Sequence, residues 1–91
     1  MSLVEKLQKL SDAFGVAGFE DEVREVIREM VEPYVDGWEV DPLGNLIVWR
    51  GQGEPVMLDA HMDEVGFMVR WIEKDGFLRL TAWEAGTSAF F

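Results

Sequence analysis

Pro55-Val56-Met57-Leu58-Asp59-Ala60-His61-Met62-Asp63-Glu64-Val65-Gly66-Phe67-Met68 is the stretch on which the reading of this chain turns. Pro55 to Ala60 is a short, nearly continuous apolar run, the pattern of a strand buried on both faces. At its end stand the only histidine of the chain and, two residues on, an aspartate. Side chains two apart on a strand point the same way, so His61 and Asp63 present an imidazole and a carboxylate on one side of a sheet edge. Asp59 shares that side. Glu64 follows Asp63 directly and points to the other face, which makes it a poor co-ligand.

Outward from this stretch the period changes. Val65 to Ile72 alternates as a half-buried strand does, and Lys74-Asp75-Gly76 turns it back into Phe77 to Ala82. On the other side, Gly51-Gln52-Gly53-Glu54 is a link. Trp38 and Val40 alternate with charged neighbours, Asp41-Pro42-Leu43-Gly44-Asn45 reads as a turn, and Leu46 to Trp49 completes a hairpin. Nearer the N-terminus the spacing is helical. Leu3, Val4, Leu7, Leu10 and Phe14 form one stripe, with Ser2 and Glu5 as a capping box and Gly15 as the stop. Gly15 to Gly18 is a tight connection to a second helix over about Glu20 to Tyr34. Its stripe is Val23, Val26, Ile27, Met30 and Val31, and Glu20 with Arg24 gives an i,i+4 pair. The order predicts a mixed α/β, α+β-like fold: two N-terminal helices on a small mixed, mostly antiparallel sheet. Trp83 to Phe91 has no clear period, and the chain reads as cut off there or covered by another subunit.

Composition sets the outer limits. Ninety-one residues make one small domain, and a chain of that length buries only roughly 60–65% of its unfolded surface. Hydrophobic content of 48%, with 4 Trp and 6 Phe, is enough for a core and unlike a disordered tail. A net charge of −10 argues against nucleic acid and anionic membrane as partners. With no cysteine, disulfides and thiolate metal sites are excluded. Met1 to Leu10 is amphipathic and charged, unlike a secretory leader, and no apolar stretch approaches the ~20 residues that span a bilayer. A cytoplasmic protein is the expectation.

The chemistry centres on His61. A catalytic zinc needs about three His, Asp or Glu ligands and an open position for water. This chain brings one imidazole. Asp63 can accept a hydrogen bond from the second ring nitrogen and so fix tautomer and orientation. From the residues alone, His61 reads either as a metal ligand or as a hydrogen-bonded loop residue. The tryptophans read as core or interface anchors before substrate platforms. Glu20, Asp21, Glu22, Glu25 and Glu29 read as a solvated helix face.

Three blocks together are more specific than any one of them. Phe14-Gly15-Val16-Ala17-Gly18-Phe19-Glu20, Asp41-Pro42-Leu43-Gly44-Asn45-Leu46 and Leu58 to Phe67 resemble, in order and spacing, the beginning of an M42-family metallo-aminopeptidase. This is the family of glutamyl and leucyl aminopeptidases, and the similarity covers residues 3 to 80. The resemblance implies a dinuclear zinc or cobalt enzyme that removes N-terminal residues from peptides and forms homo-oligomers, in many members a hollow dodecamer. It assigns His61 as the first metal-ligand histidine and Asp63 as the catalytic aspartate supporting the metal centre. It divides residues 1–63, the start of the peptidase-like α/β domain, from residues 64–91, the start of an inserted β-rich dimerisation domain. The bridging aspartate, the paired glutamates and the other ligands of the family pattern have no counterpart here. The expectation is therefore an N-terminal portion, catalytically incomplete as this chain. A non-catalytic self-associating module and a subunit completed in trans are the alternatives.

Overall fold

Ser2 starts the first helix as its composition predicts: its hydroxyl accepts the Glu5 amide at 3.2 Å, satisfying one of the donors that a helix N-terminus leaves unpaired. This helix, α1, runs Leu3–Asp12, and α2 follows over Asp21–Val31, continued by a short 3-10 turn, Glu32–Tyr34. The structure is a computed structural model that describes residues 1–84 and 87–90, with the backbone alone described at residues 84 and 87–90. Helix α1 ends at Asp12, three residues before Gly15, so the expected glycine stop lies in the connection beyond it. Glu20 does not pair with Arg24. It turns back to accept the Gly18 amide at 2.7 Å, while Arg24 pairs with Asp21 at 2.6 Å. The Glu20 carboxylate thus closes on an amide of the preceding turn, two residues back, and makes no side-chain cap to the helix amides.

Two antiparallel sheets follow. Strands β1 (Gly37–Val40) and β2 (Leu46–Trp49) pair as a hairpin in the register Trp38↔Val48 and Val40↔Leu46. Asp41 organises the turn, accepting the Leu43 and Asn45 amides and the Asn45 side chain at 3.0, 2.8 and 2.8 Å. Gly44 supplies the left-handed backbone that the turn requires, at φ +89°. Helix α2 lies beside this hairpin: Arg24 Nε donates to the Gly44 carbonyl at 2.7 Å, and the Arg28 guanidinium sits 5.1 Å from the Trp38 ring centre.

The second sheet is a meander of β3 (Gly66–Ile72), β4 (Leu78–Glu84) and β5 (Thr87–Phe90), in that spatial order. Gly76, at φ +92°, closes the β3–β4 turn. A bulge between Val69 and Trp71 leaves Arg70 as the extra residue. The tail thus contains strand where no period was legible. Residues 85, 86 and 91 of that tail lie outside the described residues.

The α/β character, the two helices and both hairpins match the sequence reading; two features do not. The expected single sheet is two sheets, and the only parallel pairing among the described residues is an isolated bridge, Val16↔Glu64. The expected buried strand Pro55–Ala60 is neither a strand nor buried. Val56, Met57 and Leu58 are 88%, 86% and 93% exposed. A strand apolar on both faces needs neighbours on both edges and cover on both faces, and the described chain provides none of them there. Among the described residues the buried hydrophobic core is correspondingly small, Ala13 and Val23. The radius of gyration is 17.0 Å, against ~12 Å for a compact domain of this length.

Candidate functional site

His61 and Asp63 stand where the extended, unpaired segment meets the meander. The segment carries no secondary structure from Pro55 to Asp63, and the chain regains a partner at Glu64, whose amide donates to the Gly15 carbonyl at 2.8 Å. His61 is exposed, with 86% of its side-chain surface free, while the Asp63 side chain keeps 25%.

The pair has a defined orientation. His61 Nδ1 lies 2.9 Å from the Asp63 carbonyl oxygen and 3.2 Å from Asp63 Oδ1. Both neighbours are acceptors, so Nδ1 must carry the proton in the neutral ring, and Nε2 is left with an available lone pair. An imidazole held in this tautomer by a carboxylate and a carbonyl is set up to donate electrons through Nε2. Asp59 does not join them. Among the described residues no three His, Cys, Asp or Glu side chains come within reach of a common metal ion. One imidazole and one supporting carboxylate do not make a metal centre, and the described residues do not by themselves fit a dinuclear metal site.

Glu64 contributes through its backbone and leaves its side chain in solvent. The acidic face of α2 is a salt-linked surface: Arg28 bonds Glu25 and Glu32, and the guanidinium beside Glu25 holds that carboxyl below its usual range. Residues to which the sequence reading gave no role at the site lie around it. Val16 bridges to Glu64, Gly66 packs under Val16, and the Trp83 indole N–H donates to the Ala17 carbonyl at 2.5 Å. An apolar groove of about 250 Å³, lined by Phe14, Phe19, Phe67 and Trp83 among others, runs beside this contact. A glycine inside an otherwise alternating strand, such as Gly66, is the one sequence signal that could have pointed to it, because it marks a close backbone approach.

A histidine and an aspartate oriented in this way, beside two helices and antiparallel sheets, do not by themselves fix the class of protein. Comparison with known proteins makes the class specific. Residues 44–83 match the sequence model of the M42 glutamyl aminopeptidases. A protein of Acetivibrio thermocellus, named provisionally as an aminopeptidase, is 49% identical over 77 residues, which are 84% of this chain and 23% of that protein. The TET aminopeptidase of a Thaumarchaeota archaeon from marine sediment superposes with a TM-score of 0.77 at 39% identity, over 88% of this chain and 23% of that one. PhTET1-12s, a dodecamer, superposes with a TM-score of 0.76 at 40% identity, over 91% of this chain and 26% of that one. The chain belongs to the M42 aminopeptidase family, a family of metal-dependent peptidases, and corresponds to an N-terminal portion of such a peptidase. It spans about a quarter or less of the length of these relatives.

Proposed function

We propose that this chain contributes the first metal-ligand histidine, His61, and its supporting aspartate, Asp63, to a metal-dependent aminopeptidase that removes N-terminal residues from peptides. The observation that carries the reading is the orientation of the pair within the matched stretch: Asp63 accepts from His61 Nδ1 and leaves the Nε2 lone pair free to bind a metal. The metal, zinc or cobalt by family resemblance, would act as a Lewis acid and source of activated water once the centre is complete. The remaining ligands and the general base come from polypeptide other than the described residues. The part played by this chain is to fix tautomer and direction at Nε2. Residues 1–63 belong on this reading to the catalytic α/β domain and residues 64–91 to a β-rich association domain, in a cytoplasmic protein. No helix among the described residues is long and apolar enough to cross a membrane.

Self-association is part of the same proposal. PhTET1-12s is a dodecamer, and this chain exposes Trp71, Phe77 and the Val56–Leu58 run, apolar side chains that association would cover. The bare Pro55–Ala60 segment also favours a second reading, a subunit whose sheet and site are completed in trans.

A calorimetric titration of zinc into chelator-stripped protein, with His61→Ala alongside, tests the assignment. The expected result is weak binding by the chain alone that His61→Ala abolishes. Sub-micromolar binding indifferent to His61→Ala overturns it.

A further inference from the structure

The segment that carries His61 has few ties to the folded body. No main-chain to main-chain hydrogen bond among the described residues reaches residues 54–63, and the first one beyond them is Glu64 N–H to Gly15 O, at 2.8 Å. Gly15 belongs to the α1–α2 turn, which is itself held on several sides. The Phe14 amide donates to Glu22, the Gly18 amide to Glu20 and the Phe19 amide to the Val16 carbonyl, the last at 2.9 Å. Gly15 is buried so closely on Val23 that an added Cβ would lie 2.7 Å from Val23 Cγ1, and 3.6 Å from the Met62 carbonyl oxygen. Val16 then presses on Gly66, where an added Cβ would overlap Val16 Cγ1. Trp83, the cross-strand partner of Gly66, adds a second tie from the same sheet, its indole N–H donating to the Ala17 carbonyl.

We propose that the α1–α2 turn is the positioning element of the His61–Asp63 loop. Helix α2 fixes the turn, the turn fixes the Glu64 backbone through Gly15 and Val16, and Glu64 fixes Asp63, which orients His61. Gly66 is the residue that admits the contact, because any side chain there would displace Val16 and with it the bridge. Gly15, Val16, Gly66 and Trp83 are positioning residues. The purpose of that positioning, though not its existence, rests on the function proposed above.

The test is a steric swap read by amide hydrogen exchange and by NMR order parameters of the full chain. Gly66→Ala is expected to speed exchange at Glu64 by roughly tenfold and to lower the order parameters of the His61 to Asp63 amides, while α2 amides from Val26 to Met30 keep their protection. Val16→Ala in the Gly66→Ala background removes the overlapping methyl and leaves a Cβ approach of 3.3 Å, and it is expected to restore most of the protection. Trp83→Phe keeps an aromatic ring, though a smaller one, removes the donor to Ala17, and is expected to give a change of a few-fold in the same direction. If Gly66→Ala does not fold, the double variant and Trp83→Phe carry the measurement. Unchanged exchange and order at residues 61–64 across the variants overturns the proposal, as does loss at α2 in equal measure, which would mark a global effect. A parallel zinc titration separates the two readings. Altered exchange with no zinc bound by any variant removes the metal function and leaves the positioning standing. Unaltered exchange removes the positioning whatever zinc does.

Discussion

The β3–β4 meander and the Pro55–Ala60 segment are both apolar and both read as strands, yet only the first pairs. Strand β3 carries its partner within the same short stretch: Lys74-Asp75-Gly76 reverses the chain, and Val69 comes to face Leu80. Loop closure at that length costs little, and register follows from the turn. Pro55–Ala60 has no such local partner, and both of its faces are apolar. The comparison teaches that alternation marks strands that local sequence can complete, whereas a doubly apolar run marks a strand whose neighbours come from far away or from another chain.

The comparison is sharpened most by a charge placed in each region. Leu80→Asp puts a carboxylate at a half-buried position opposite Val69 and is expected to destabilise the chain by about 2–3 kcal/mol in urea unfolding. Val23→Ala, at the most buried side chain among the described residues (4% exposed), is expected to cost about 2 kcal/mol through lost packing against Gly15. Leu58→Asp should change stability by less than ~0.5 kcal/mol, because Leu58 is 93% exposed in this chain. It should, however, reduce self-association measured by light scattering. An effect of Leu58→Asp on unfolding as large as that of Leu80→Asp would break the distinction between the two regions. A monodisperse monomer for the unsubstituted chain would remove self-association from the proposal.

Local chemistry accounts for what was legible. Ser2 before an amphipathic run, Asp41 and Asn45 around Gly44, and Gly76 between two alternating stretches each act within a few residues, and the structure has a cap or a turn at each. Long-range placement was legible only where a residue type restricts it. Gly66 carried a trace of the Val16 contact, but Val16 and Ala17, marked only as part of the resembling block, have no residue chemistry that tells what they touch. The contact joins positions 16 and 64, and no periodicity within either segment encodes it. His61 and Asp63 could be singled out because their spacing is local. The absence of a third ligand nearby could be read by counting, but where the other ligands come from could not. Glu20 shows the converse error: the i,i+4 rule favoured Arg24, and the Gly18 amide of the preceding turn won.

His61→Ala should leave the unfolding free energy within ~0.5 kcal/mol, since the ring is mostly solvent-exposed and its partner Asp63 keeps water as an alternative. A loss of several kcal/mol would make His61 a structural residue and bring the loop into the packed body, against the contrast drawn above.

The smallest effect is expected at the β1–β2 turn, as a function of pH. Hydrogen bonds from the Asn45 side chain and amide, and then from the Leu43 and Gly44 amides, hold the Asp41 carboxyl below its ordinary value. A carboxyl with a folded pKa below its unfolded one contributes stability that is fully present above the unfolded pKa and is lost as pH falls through the folded one. The hairpin should therefore be indifferent to pH from neutrality down to the ordinary aspartate range and loosen only below it. Asp41→Ala should remove that acid dependence and weaken the turn at every pH, and Asn45→Ala should keep the turn but bring the Asp41 titration closer to its ordinary value. The Asp41 carboxyl chemical shift followed by NMR from pH 6 to pH 2 measures this directly. A midpoint at the ordinary value in the unsubstituted chain would mean that the turn does not hold Asp41 as described, and that even the locally encoded half of the molecule depends on partners elsewhere.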